Sequence, residues 1–257
     1  MAFRSSVSEI YFKQMRFQTM RNREAAAARR KILSCAAKIA LEENNPKFLD
    51  VGCGDGKLTV EFAAKIGTKE CYGVDSDEPA LIEARRRGVT VEKVDLNNEP
   101  VPFPDSFFDV MLCHQVAEHL TNPDNLFQEI WRVLRTGGRC LLSVPNLCSL
   151  HNRIFVLFGW HPTVISPSTK FSFGNPAQRG ERLRKMAGHR HNTAFSPAGL
   201  KEMLKFYGFR IENYYGSGLH PFGDKVAEFL LKPFPGLGVV QIAIVRKVQT
   251  EEERAND

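Results

Sequence analysis

Three closely spaced glycines are the first residues of this chain whose spacing indicates chemistry. Gly52, Gly54 and Gly56 follow a short apolar run and precede residues whose apolar side chains recur at a helical spacing. A strand, a glycine turn and a helix form the arrangement in which a backbone loop binds a nucleotide-like ligand. Without Cβ atoms, the chain bends sharply and its backbone reaches the ligand. The stretch predicts a ligand-binding turn at the end of a strand.

Two acidic residues beside this turn indicate the kind of ligand. Asp50 and Asp55 bracket the glycines, so a bound pyrophosphate would meet two carboxylates. This argues against a nicotinamide dinucleotide. A cationic or zwitterionic ligand without phosphate fits better. S-adenosylmethionine, with its sulfonium and ammonium groups, is such a ligand.

Two further acids end predicted strands. The second strand, residues 70–75, ends in Asp75 about 20 residues past the glycines, where an acid hydrogen-bonds the hydroxyls of a ribose. The third strand, residues 90–95, ends in Asp95, whose carboxylate can accept a hydrogen bond from an adenine amine. Both acids extend the predicted site along one edge of a sheet.

Five segments between residues 48 and 146 form one pattern with these acids. They are residues 50–56, 73–77, 94–96, 108–114 with Glu118-His119, and 135–139. In order and spacing they resemble the class I S-adenosylmethionine-dependent methyltransferases. The resemblance implies S-adenosyl-L-methionine as cofactor and a doubly wound, Rossmann-like α/β fold with a seven-stranded, mostly parallel sheet and an inserted lid. The cofactor-binding residues that it implies are Asp50, Gly52, Cys53, Gly54, Asp75, Ser76, Asp95, Leu96 and His114.

The chain pattern predicts five parts. They are an N-terminal helical segment (1–47), an S-adenosylmethionine-binding core (48–146), a lid or substrate insertion (147–195), the C-terminal part of the fold (196–248) and a polar tail (249–257). Strands and helices alternate through the core, as in a parallel sheet covered on both faces. This periodicity stops after residue 147, where an apolar stretch, a Pro, Ser and Gly-rich run and a basic cluster follow. The resemblance implies that the last two strands form an antiparallel edge.

The net charge of +6 is concentrated at the N-terminus, where residues 1–40 carry nine Lys or Arg against two Glu. We interpret residues 22–43 as a helix on the sheet edge or over the cofactor mouth, with Arg29, Arg30 and Lys31 facing water. The basic excess is then a solvated helix face. A role in contacting a membrane surface or an anionic substrate stays open as the alternative.

Composition bounds the remaining possibilities. A chain of 257 residues suits one α/β domain with insertions, and no apolar run approaches the length of a transmembrane helix. Its six cysteines form no C-x-x-C pair, which predicts free thiols in a reducing compartment. The start of the chain has no apolar core of a secretory signal. These features predict a cytoplasmic location.

Histidines provide the candidate bases. His114 ends the fourth predicted strand at the cofactor edge, and a near-neutral imidazole suits proton removal from an acceptor. His119 is the second candidate, although Glu118-His119 is more typical of a structural pair in the family. His189 and His191 lie in the insertion and could reach the acceptor from a lid. None of these spacings provides a complete set of ligands, so we predict no metal site.

The predicted activity is methyl transfer to a hydroxyl of a small or lipid-linked molecule. The apolar insertion favours an acceptor with a hydrophobic part, or a protein that touches a membrane peripherally. One alternative is an N-methyltransferase of a small molecule or protein, and another is a partner protein that binds the cofactor without catalysis. Nucleic acid is disfavoured, because residues 113–116 read Cys-His-Gln-Val in place of the Asn-Pro-Pro-aromatic loop used on base amino groups.

Overall fold

A seven-stranded sheet forms the centre of the protein in a computed structural model, which describes residues 7–39, 45–168, 173–175 and 191–248, with side chains of the first range from residue 23 onward. The strand order is β3-β2-β1-β4-β5-β7-β6. The strands are β1 (Phe48–Val51), β2 (Cys71–Asp75), β3 (Thr90–Lys93), β4 (Phe108–His114), β5 (Leu134–Pro145), β6 (Phe209–Ser217) and β7 (Val240–Lys247).

All neighbouring strands are parallel except at the last positions, where β7 runs antiparallel to both β5 and β6. The central strands β1 and β4 are almost entirely buried, as expected for a sheet that helices cover on both faces. The predicted doubly wound, seven-stranded, mostly parallel sheet is therefore confirmed, including its antiparallel edge.

Helices pack on both faces of this sheet. They are α1 (Val7–Ile39), α2 (Lys57–Ile66), α3 (Glu78–Arg86), α4 (Pro123–Val133), α5 (Leu150–Leu157), α6 (Pro197–Phe206) and α7 (Asp224–Leu231). The buried side chains of α1, α2 and α3 share one apolar cluster, and those of α4 and α6 share the other. The sequence starts α4 and α6 with side-chain caps: Asn122 accepts a hydrogen bond from the Asn125 N–H, and Ser196 accepts one from the Gly199 N–H.

The N-terminal helix differs from its prediction. It begins at Val7 and ends at Ile39, whereas residues 22–43 were expected. Its stripe of Ile32, Ala36 and Ile39 is fully buried against strands of one sheet face, so the helix covers a face rather than an edge. Packing on a sheet face buries more apolar surface than packing on an edge, and the apolar stripe of α1 is long enough to cover several strands.

The basic residues on this helix also differ from the prediction. Arg30 is exposed, as expected, but Arg29 forms an ion pair with Glu61 of α2. The Lys31 ammonium lies 4.8 Å from the centre of the Tyr215 ring. Some of the positive charges on this helix therefore contact other elements of the fold, and only part of them lies on a solvated face.

The insertion after β5 contains helix α5, and residues 169–172 and 176–190 lie outside the described part. Part of the predicted lid, including His189, therefore falls among the undescribed residues. In the described ranges, no helix is both long and apolar enough to cross a bilayer. All six cysteines are free thiols, and five of them are buried.

Candidate active site

The glycine turn lies at the carboxyl end of β1, as the sequence predicts. The Gly52 N–H donates to the Val74 carbonyl at 2.8 Å, which joins the turn to β2. Gly52 has φ 76°, and a Cβ added to it would lie 2.3 Å from Cγ2 of Val116. Gly54 has φ 52° and faces open space. The turn is therefore packed on one side and leaves its backbone open on the other, as a ligand cradle requires.

The carboxylate of Asp75 is held beside this cradle. Its Oδ2 accepts the Gly54 N–H at 2.9 Å, and its Oδ1 accepts the Asp77 N–H at 3.0 Å. Ser76 lies between them and is exposed. Each carboxylate oxygen can accept more than one hydrogen bond, so Asp75 retains acceptor sites for ribose hydroxyls.

Asp95 is fixed in a similar way by the residues that follow it. Its carboxylate accepts hydrogen bonds from the backbone and side chain of Asn97 and from the side chain of Asn98, at distances of 2.9–3.1 Å. These donors hold the pKa of Asp95 below its usual range, so the group is ionised at neutral pH. The neighbouring Leu96 is buried, with 6% of its surface exposed. Asp95 and Leu96 therefore place a charged hydrogen-bond acceptor beside an apolar side chain.

Asp50 points into the protein. Its carboxyl group is buried and accepts a hydrogen bond of 2.6 Å from the Thr59 hydroxyl of α2. Burial raises the pKa of Asp50 to about 7, and the nearby charge of Asp75 adds to the shift. The buried Cys53 thiol follows three residues later, and its pKa is also raised by burial. Asp50 therefore joins the glycine turn to α2 from the inside of the protein.

Asp55 is paired with a cation. The Arg87 guanidinium lies 3.3 Å from the Asp55 carboxylate and also donates to its backbone carbonyl at 2.9 Å. The ion pair compensates the charge of Asp55. Asp50 and Asp55 therefore give less reason to exclude a pyrophosphate than the sequence indicated, since one carboxyl is buried and the other is paired.

His114 ends β4 at the same edge of the sheet. Its Nδ1 lies 2.6 Å from the Ser143 hydroxyl oxygen of β5. Burial, and secondarily the positive charge of Arg29, lower the pKa of His114 to about 4, so the ring is neutral at pH 7. Neither Ser143 nor Arg29 was identified from the sequence, because only the sheet pairing and the packing of α1 bring them here.

Gln115 is a second residue that the sequence did not single out. Its backbone has φ 58°, which is unusual for a residue with a side chain, and its N–H donates to the Ser143 carbonyl at 2.9 Å. The side-chain Nε2 is buried and has no hydrogen-bond partner among the described residues. A strained backbone with an unsatisfied amide at the carboxyl end of a central strand is typical of a ligand-binding position.

Glu118 and His119 form a short 3₁₀ helix, residues Ala117–His119, just after this strand. Glu118 is 1% exposed, and burial raises its pKa to about 8. The backbone N–H groups of Asn192 and Thr193 donate to the Glu118 carbonyl at 2.7 and 3.2 Å. These bonds tie the chain that returns from the insertion to the end of β4, and they bring His191 beside His119, with ring centres 5.2 Å apart.

The residues at this edge fit S-adenosylmethionine. The glycine cradle is open, Asp75 and Asp95 each offer an oriented carboxylate, and Gln115 offers a buried amide donor without a partner among the described residues. A sulfonium cofactor would supply the electrophilic methyl group there. The chain's own residues would bind the nucleoside, orient it and line the acceptor space.

The fold is that of an α/β protein with a doubly wound sheet, and comparisons with known proteins show what it is similar to. Residues 49–142 match a family model described as a methyltransferase domain. A protein of Mycolicibacterium smegmatis named "Probable S-adenosylmethionine-dependent methyltransferase" is 28% identical over 178 residues, which cover 66% of this chain and 56% of the relative. The chain spans about half the length of the curated relatives it matches.

Solved structures agree on the fold. An S-adenosylmethionine-dependent methyltransferase of Mesorhizobium loti has a TM-score of 0.56 at 19% identity and covers 83% of this chain and 96% of its own. A chain from the complex between the Haloferax volcanii Trm112 methyltransferase activator and its methyltransferase partner has a TM-score of 0.60 at 15% identity, over 92% and 94% of the two chains. Residues 49–142 thus match methyltransferase domains, the fold is that of S-adenosylmethionine-dependent methyltransferases, and these comparisons indicate S-adenosyl-L-methionine as the cofactor.

Proposed function

We propose that the whole protein transfers the methyl group of S-adenosylmethionine to a hydroxyl of a small or lipid-linked molecule that has an apolar part. Methyl transfer from a sulfonium is an in-line displacement, so the acceptor must approach the cofactor from the side opposite the leaving sulfur. The acceptor must also reach the sheet edge where the glycine turn and His114 lie.

An apolar cleft after β5 is the observation that carries this proposal. The cleft has a volume of about 810 Å³, and its first lining residue, Leu147, comes two residues after the end of β5. A volume of this size suits a small organic ligand. The apolar lining side chains are Leu147, Val156, Leu157, Trp160, Pro162 and Ile165. Arg153 and His161 also line the cleft and supply polar groups that can orient an acceptor.

The surface beside the cleft is unusually apolar. Leu157 is 80% exposed, Phe158 64% and Trp160 41%, all within or just after α5. Neighbouring large apolar side chains on a surface mark a site of interaction. A lipid-linked acceptor would be reached at a membrane surface, and these are the side chains that would enter its interface.

An oxygen acceptor is supported by the neutral imidazole of His114. A hydroxyl is a poor nucleophile until a base removes its proton. When Nδ1 donates to the Ser143 hydroxyl oxygen, Nε2 is the unprotonated, basic atom of the ring. Methyl transfer to an amine is the second candidate, and the low pKa of His114, about 4, favours it because a neutral amine needs no strong base.

Methyl labelling with matched variants tests the proposal. The chain is incubated with S-adenosylmethionine labelled in its methyl group and with either the solvent-extractable or the water-soluble fraction of cells. We expect label in the extractable fraction, bound as a methyl ether. Trp160→Ala should lower labelling at least tenfold. Phe206→Ala removes an aromatic side chain that is 75% exposed outside the cleft, and it should leave labelling unchanged.

The other outcomes are distinct. Label found only on water-soluble amines would contradict the hydroxyl acceptor and support N-methylation. Cofactor binding without label in either fraction would support the non-catalytic alternative. Sedimentation with anionic phospholipid vesicles, compared between the wild type and Leu157→Ser, tests the membrane contact separately.

A further inference from the structure

Glu118 has an unusual environment for a carboxyl group. It is 1% exposed, and neither Oε1 nor Oε2 has a hydrogen-bond partner among the described residues. Buried carboxyl oxygens are normally satisfied by donors, by a cation or by a metal ion, since burial without one is costly. The Glu118 carbonyl accepts hydrogen bonds from the N–H groups of Asn192 and Thr193, and these bonds hold the backbone of the 3₁₀ helix in place.

Two imidazoles lie beside this carboxyl group. One ligand atom from each of Glu118, His119 and His191 falls within 4.8 Å of the other two. The His119 Nε2 is 4.0 Å from Glu118 Oε1, which is long for a direct ion pair. The fold brings the third residue here across 72 positions of sequence, and for that reason the sequence alone predicted no metal site.

Hydrogen bonds fix the three residues relative to one another. The Asn192 side chain donates to the His119 carbonyl at 2.6 Å, and the Thr193 hydroxyl donates to the Ala117 carbonyl at 2.9 Å. The His191 Nδ1 lies 2.9 Å from the Val164 carbonyl, which can only accept, so Nδ1 carries the proton. In that tautomer Nε2 of His191 is the unprotonated ring nitrogen, the form of the atom that binds metal ions. Histidines that bind metals are oriented by this kind of outer hydrogen bond.

We propose that Glu118, His119 and His191 together bind a divalent transition-metal ion. Two imidazoles and one carboxylate form a known ligand set for Zn²⁺ in sites that keep a position open. Imidazole nitrogen favours Zn²⁺ and its neighbours over Mg²⁺ and Ca²⁺. Ligand atoms about 2.0–2.2 Å from one tetrahedral ion are about 3.3–3.6 Å apart, so the three side chains have to make a closure of up to about 1.5 Å. The His119 side chain is 41% exposed and has room to make it.

The ion would join two parts of the chain. Glu118 and His119 follow β4 at the cofactor edge, and His191 belongs to the segment that returns from the insertion. Three protein ligands leave positions for water or for an oxygen of an acceptor. This inference goes beyond the proposed function, because binding of the ion requires neither an acceptor nor methyl transfer.

Calorimetric titration of the full, chelator-treated chain with Zn²⁺ tests the inference, and titration with Co²⁺ gives an absorption spectrum of the ligand field. We expect one ion per chain and a tetrahedral or five-coordinate Co²⁺ spectrum. His191→Ala and Glu118→Gln should each weaken the binding at least tenfold. The matched control is His220→Ala, because His220 also faces a carboxylate, that of Glu24, and it should leave the binding unchanged.

Binding of S-adenosylmethionine, measured on each variant, reports that the chain is folded and does not depend on the acceptor. Variants that bind the cofactor normally and bind Zn²⁺ as tightly as the wild type would overturn the inference. So would a wild-type chain that binds the cofactor but takes up no stoichiometric Zn²⁺ or Co²⁺. A loss of Zn²⁺ in His220→Ala alone would assign the ion to the other cluster and overturn the inference as well.

Discussion

The imidazole of His114 and the hydroxyl of Ser143 lie on adjacent parallel strands, with 2.6 Å between Nδ1 and Oγ. The two residues are also direct partners in the register of β4 and β5. Because the sheet fixes both backbones, the ring has little freedom to turn. The pairing therefore engages Nδ1 and leaves Nε2 as the ring nitrogen that Ser143 does not contact.

The first prediction concerns this histidine as a base. Replacing His114 by Gln should lower kcat about 10²-fold on a hydroxyl acceptor and leave cofactor affinity nearly unchanged, because a base of low pKa contributes at the lower end of the usual range. Since the pKa of His114 is about 4, the wild-type pH profile of kcat/KM should have no limb near 6.5 that this group causes. Steady-state kinetics of both proteins from pH 5 to pH 9 measure this. Undiminished turnover in the variant would remove His114 as the base.

The second prediction concerns cofactor affinity. Asp75→Ala should weaken S-adenosylmethionine binding at least tenfold, since it removes a charged acceptor, worth about 1.5–3 kcal/mol, and frees the Gly54 N–H that it holds. Calorimetry with S-adenosylmethionine and S-adenosylhomocysteine measures the effect. Asp77→Ala, an exposed neighbour whose side chain makes no helix-capping hydrogen bond, is the control. Equal affinities for both variants would show that β2 does not end at the ribose.

The third prediction concerns pH and stability. The pKa of Asp50 is raised in the folded protein to about 7, so the folded state holds this proton more tightly than the unfolded chain does. The stabilisation is present below about pH 4 and is lost as pH rises towards 7. Without cofactor, the free energy of unfolding of the wild type should fall relative to Asp50→Asn by on the order of 3 kcal/mol over that window. Urea unfolding at pH 4.5 and pH 7.5 measures it, and a constant difference would contradict the buried, protonated carboxyl.

The fourth prediction concerns the glycine turn. Gly52→Ala should destabilise the protein by about 2–5 kcal/mol, because the residue has φ 76° and its Cβ would meet Val116 at 2.3 Å. Gly67→Ala is the matched control: Gly67 has the same φ but open space, so only the backbone cost of about 1–2 kcal/mol applies. Thermal unfolding of both variants, and of Gly52→Ala combined with Val116→Ala, separates the two effects. If the double variant recovers no stability, the clash with Val116 is not the cause.

Much of the fold followed from periodicity in the sequence. The glycine turn, the strand-end acids and the near-continuous apolar strand β4 predicted the order and direction of the elements, because buried parallel strands leave a recognisable composition. The N-terminal half of α1 was left out of the predicted helix at residues 22–43, because that prediction followed the apolar stripe near its C-terminal end and did not use Val7, Tyr11 and Met15. The face on which α1 packs also depends on tertiary contacts that no local pattern records.

Positions at this edge of the sheet were predictable where a residue ends a strand. Asp75 and His114 were placed correctly at the ends of β2 and β4 for that reason. Arg87, which pairs with Asp55, lies 32 residues away from it and could not be foreseen. The predicted cofactor was correct, although this ion pair compensates one of the two carboxylates on which the prediction rested. The strained Gln115 gives no compositional signal at all, because glutamine is an ordinary residue whose backbone strain appears only in three dimensions.

Because the cysteines differ in burial, a thiol reagent can label the cleft selectively. Five thiols are buried, and burial raises the pKa values of Cys35, Cys53, Cys71, Cys113 and Cys140, so few of them are thiolates at neutral pH. Cys148 is partly exposed and lines the cleft after β5. A maleimide fluorophore added to the unmodified chain would thus attach at Cys148, and its emission would report the arrival of an acceptor without any engineered cysteine.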